Sequence, residues 1–122
     1  MDDDYIKGIL EKIVDSYKTL NELKDKPEDL GIIKKELGKT QGLVHVLINK
    51  IEKSGNDSDT YSGLLSTSKS YLRDYSFHNE IDRISQLYFE DTYRIRNIRI
   101  TIITALEESN LISKIIDLLE VL

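Results

Sequence analysis

Cysteine is absent from the 122 residues, which removes disulfide frameworks, thiolate metal sites and cysteine nucleophiles together. Long apolar runs are also missing. The longest uncharged one, Ile100 to Leu106, falls far short of the ~20 residues that span a bilayer. The opening Met1-Asp2-Asp3-Asp4 has the wrong charge for a secretory leader and no apolar segment follows it, so a cytoplasmic chain is expected. No glycine-rich phosphate loop, Glu-x-x-His pair or His-Glu-x-x-His spacing occurs. Catalytic, cofactor and metal sites are therefore not expected, and an enzyme is the least favoured class.

Apolar residues make up 39% and charged residues 32% of the chain. That balance, at this length, implies one globular domain over residues 1–122, with a sub-boundary at the polar stretch 54–59. The net charge of −5 argues against direct nucleic-acid binding, which needs a clustered cationic excess. All five arginines fall between Arg73 and Arg99, whereas lysines lie mostly before residue 70. Arginine suits planar, bidentate contacts with carboxylates or phosphates, so this segment is either a localised functional or interface surface or a chance cluster.

Apolar spacing is helical throughout. Tyr5, Ile6, Ile9, Leu10, Ile13, Val14, Tyr17 and Leu20 form one stripe. Asp25-Lys26-Pro27-Glu28-Asp29 reads as a stop and restart. A second helix follows with Leu30, Ile33, Leu37, Val44, Leu47 and Ile51 at three-four spacing, Thr40 filling the gap. Gly31, Gly38 and Gly42 lie off this seam; they either form a groove for another backbone or are carried at a loss of up to ~1 kcal/mol each. Ser54 to Asp59 is the clearest loop. A third helix carries Tyr61, Leu64, Leu65, Tyr71, Leu72 and Tyr75. Ser76 is placed as the cap of a fourth and longest helix, from about Phe77 to Glu107, with Phe77, Ile81, Ile84, Tyr88, Ile95, Ile98 and Ile102 on its seam. Ser109 or Asn110 interrupts before a short last helix. The fold class expected is all-α: a bundle of four long helices plus a short C-terminal one.

Several residues stand out against that frame. Leu111, Ile112, Ile115, Ile116, Leu118, Leu119, Val121 and Leu122 surround most of the last helix, which must then be buried on more than one side. Either a second subunit or a further domain, or else the chain's own bundle, supplies that burial. The first reading makes the protein a homo-oligomer, a dimer held partly through Ile112, Ile116, Leu119 and Leu122. Asp91 occupies the seam position between Tyr88 and Ile95; a carboxylate there has to be paired or near the rim, with Arg94, Arg96 or Arg99 of a neighbouring subunit as partner, unless the helix leaves the core. Arg94, Arg96 and Arg99 spread around the helix, which suits ties to neighbouring helices or a partner protein better than a phosphate backbone. His45 sits between two valines as a packed or surface residue. His78 with Glu80 and Asp82 forms an acidic, solvated first turn rather than a metal cluster.

Glu80-Ile81-Asp82-Arg83-Ile84 through Leu87, then Tyr93, Arg94, Arg96, Ile98, Arg99 and Ile102, preceded by Asp59-Thr60-Tyr61 with Leu64 and Leu65, resembles the helical A domain of the GINS replication factor subunits over residues 57–106. The resemblance implies a scaffold that bridges a replicative helicase ring and its partners without catalysis of its own. The chain departs from the family in a longer helical pair over its first 55 residues and in showing no segment that reads as the family's small β domain. Two functions are thus carried forward. One is a non-catalytic scaffold or adaptor subunit of a multi-protein complex, GINS-like in the narrower form. The other is a small acidic inhibitory or immunity-type protein that occludes a target protein. Both require a protein partner and neither requires a membrane.

Overall fold

The apolar stripes become helices in the computed structural model, which describes residues 3–53 and 59–122. Six helices are described: α1 (Asp3–Glu22), α2 (Asp29–Lys53), α3 (Asp59–Asp74), α4 (His78–Leu87), α5 (Thr92–Glu108) and α6 (Leu111–Val121). No strand occurs among the described residues, so the β-branched run of Ile98 to Thr104 stays helical inside α5. The loop expected at 54–59, with the sub-boundary placed on it, lies outside the described residues apart from Asp59 at the start of α3.

The helices α1 and α2 form an antiparallel pair. Asp29 holds the turn between them: its carboxylate accepts the backbone N–H of Lys24 at 2.9 Å and of Lys26 at 3.2 Å. Ile6, Leu10, Ile13 and Leu20 of α1 meet Ile33, Leu37, Val44 and Leu47 of α2 in the core. Thr40, the polar residue on the α2 seam, is buried there. Its hydroxyl and those of Ser16, Ser68 and Tyr71 find no hydrogen-bond partner among the described residues. α3 packs on α2, tied at its surface by Lys69–Glu52 at 2.6 Å.

The expected long fourth helix is two helices. The chain leaves α4 at Tyr88, turns through an Asp91 N–H to Tyr88 carbonyl bond of 2.9 Å, and restarts at Thr92. Asp91 is the N-cap of α5: its Oδ1 accepts the backbone N–H of Tyr93 at 3.1 Å and of Arg94 at 3.2 Å, satisfying donors that a helix start leaves open. The seam position assigned to Asp91 is therefore corrected to a cap. Ser76 does not cap α4 either; Phe77 holds that position without a side-chain bond. α4 lies against α2 and α5, pinned by Ile81 and Ile84 beneath and by Lys34–Asp82 at 3.1 Å and His78 Nε2–Gln41 Oε1 at 2.6 Å along its edge.

α6 sits between α1, α3 and α5. Leu111, Ile112, Ile115 and Leu118 enter the core, and Leu119 and Leu122 pack partly against it. A helix gripped from three directions must be apolar over most of its circumference. The bundle itself thus supplies most of the burial that the composition of this helix demands.

Candidate functional site

The last stretch of α4 and the start of α5 form a corner where large apolar side chains face outward: Leu87 is 67% exposed, Phe89 56% and Tyr93 71%. The backbone beneath them is well fixed. Asp91 caps α5, and the Arg94 guanidinium lies 3.8 Å from the Tyr88 ring centroid while its Nε reaches Asp91 at 3.3 Å. Aromatic side chains on a braced turn lose little freedom when covered, and they are enriched with arginine at the centres of protein interfaces.

Two concavities flank α5. On the side of α4, a groove of about 320 Å³ is lined by Phe77, Ile84, Ile98 and Thr101 with Glu80, Arg83, Arg94 and Asn97 at its rim. It continues along α5 into a second hollow of about 240 Å³ that shares Phe77 and Thr101 and adds Tyr75, Ile100, Thr104, Ala105 and Glu108. On the other side, a hollow of about 460 Å³ opens between the α1–α2 turn and the start of α5, lined by Lys24, Asp25, Lys26, Pro27, Thr92, Tyr93 and Arg96.

The three arginines of α5 have separate roles. Arg99 turns inward: its Nε and Nη2 meet both carboxylate oxygens of Asp25 at 2.6 and 3.1 Å, and its Nη1 meets the Leu20 carbonyl at 3.1 Å. The pair keeps only 13% and 19% side-chain exposure. It holds Asp25 at a left-handed φ of 62° and places a cation at the negative end of α1. Arg94 pairs with Asp91 of its own chain. Arg96 is exposed, forms no ion pair among the described residues, and faces the hollow beside Lys24 and Lys26.

The four α6 residues assigned to an interface divide as well. Ile112 is 5% exposed and belongs to the core of its own bundle, which corrects its placement on an outer surface. Leu119 and Leu122 are half-buried against that core, and Ile116 is 40% exposed. Phe89 is not singled out by the sequence, and Leu87 enters only as part of the GINS-like pattern, not as an interface residue. The signal was present in Leu87-Tyr88-Phe89, three consecutive large apolar residues that cannot share one helical stripe.

Electrostatically, the perturbed groups belong to the scaffold. Burial, then a 2.5 Å hydrogen bond to Asp3, pushes the Tyr61 phenol up to about 12. Burial, with Tyr75 adding to it, does the same for Tyr71. The bond that Tyr17 donates to Glu107 raises its phenol too and ties α1 to α5. Among the described residues no three His, Cys, Asp or Glu side chains gather as a metal-holding group, and no helix is long and apolar enough to cross a membrane. Compared with known protein families, with curated proteins and with solved structures, the chain has no match.

Proposed function

We propose that this chain is a non-catalytic protein-binding module, an adaptor that docks a partner protein on the corner between α4 and α5. The carrying observation is the outward Leu87, Phe89 and Tyr93 on a turn braced by Asp91 and Arg94. Three such side chains on one corner are more than the scattered apolar residues of an ordinary surface, and clustered apolar exposure marks interaction sites. The groove along α5 extends the face, with an apolar floor and charged rim of the kind found in protein interfaces.

The narrower reading, a subunit of a GINS-like replication complex, draws its support from the residue pattern of 57–106, whose long helix is here divided between α4 and α5. An inhibitory role would use the same face, with the partner's own activity blocked on binding. The test is affinity capture from the native cell, with the triple substitution Leu87→Ala, Phe89→Ala, Tyr93→Ala as the comparison. All three side chains are exposed, so the helical signal and melting temperature should be unchanged while a specific partner is lost. Retention of every captured protein by the folded variant would overturn the reading.

A further inference from the structure

The hollow beside this corner has a chemistry that the apolar face does not explain. Lys24, Lys26 and Arg96 surround it in a chain whose net charge is −5. None of the three forms an ion pair among the described residues. Asp25, the carboxylate among the residues lining the hollow, is taken up on both oxygens by Arg99. The backbone that carries the two lysines is held from beneath. Asp29 accepts the backbone N–H groups of Lys24 and Lys26, and Arg99 fixes the residue between them. Three cationic residues lining one concavity, with Tyr93 and Pro27 also among its walls, attract an anion that carries apolar surface next to it.

Resting on the protein-binding reading above, we propose that the hollow receives the carboxylates of an acidic segment of the partner protein, in which Asp or Glu residues alternate with aromatic or aliphatic ones. The carboxylates meet Arg96, Lys24 and Lys26, and the neighbouring apolar side chains lie over Tyr93 and Phe89. Charge complementarity favours this occupant over nucleic acid. The positive field is confined to one hollow on an acidic molecule, whereas a phosphodiester chain carries its charge past the hollow onto a surface that repels it. A guanidinium and two ammonium groups at a rim act mainly by steering and selecting, and their effect fades with salt.

The experiment probes a peptide array with the full chain. The peptides vary acidic, amide and basic content around leucine and phenylalanine, and the retained sequences are measured in solution by fluorescence anisotropy at two salt concentrations. A dT12 oligonucleotide is measured in parallel. Retained peptides should be rich in Asp and Glu beside Leu or Phe, their amide counterparts (Asn, Gln) should bind at least ~10-fold more weakly, and added salt should weaken the acidic ones. The double variant Lys26→Glu, Arg96→Glu should lose them with its melt unchanged. Equal retention of amide and acidic peptides, or equal binding by the double variant, overturns the proposal. Tighter binding of dT12 that the same variant abolishes overturns it in favour of a phosphate ligand. Captured native partners separate the two readings: if the corner substitutions lose a partner that the charge-reversed variant keeps, the docking face stands and the acidic occupant falls.

Discussion

Arg99 and Arg96 lie three residues apart on α5 and differ in what surrounds them. Arg99 is bidentate to Asp25 with little water around the pair; Arg96 projects into an open hollow. Arg99→Ala leaves Asp25 without its partner and the Leu20 carbonyl without its donor. The expected loss is about 2–4 kcal/mol, below the cost for a fully enclosed pair because some exposure remains. Arg96→Ala should change stability by less than about 0.5 kcal/mol. Thermal melts of the two variants side by side check both figures. Tyr71 gives a second test at this scale. Its phenol is neutral when protonated and sits at about 12 in the folded chain, above the ~10 of an unfolded one. The folded state therefore keeps this contribution in full below pH 10 and loses it as pH climbs towards 12, by about 3 kcal/mol in all. Urea midpoints measured at pH 8, 10 and 11.5 should fall across that window. Tyr71→Phe should flatten the fall and cost little at pH 8, since the hydroxyl it deletes has no partner.

Among the elements, α2 carries glycines in its interior that nothing in the bundle requires. A methyl group built on Gly31, Gly38 or Gly42 meets no atom of another described element within 4 Å, so no other described helix packs against their backbone. Gly38→Ala should stabilise the fold by roughly 0.5–1 kcal/mol, through helix propensity and a less disordered unfolded chain; a urea denaturation curve measures it. The helix seams themselves were legible in the sequence, because each of α1, α2 and α3 has one apolar face and a polar remainder. The break between α4 and α5 was not. Ile84 and Ile95 are eleven residues apart, about three helical turns, so the apolar spacing runs across the turn from Tyr88 to Asp91 as it would along one helix. Periodicity cannot detect a bend that preserves phase. The signal for the break is chemical: Asp91 before Thr92 is a good N-cap. The basic hollow was hidden for another reason. Its walls come from residues 24–27 and 92–96, and no local spacing announces that two turns so far apart will meet.

For the whole molecule, the position of α6 decides how the other helices hold together. Ile115 is fully buried where α6 lies between α1, α3 and α5. Ile115→Ala should cost about 2–5 kcal/mol, the range for emptying a core site of that size, and should lower the denaturation midpoint by every probe used. The same placement has a kinetic side. The α1–α2 pair can zip locally, but the contacts of α6 with α1 join segments roughly a hundred residues apart along the chain, and the entropy of closing that loop has to be met before those contacts contribute. Until α6 inserts, α1, α3 and α5 each keep an apolar flank facing water, so partial bundles have little to hold them. Folding should accordingly be slower than for a helical bundle of neighbouring pairs, with protection of α1, α3 and α5 amides against hydrogen exchange appearing together in a single phase.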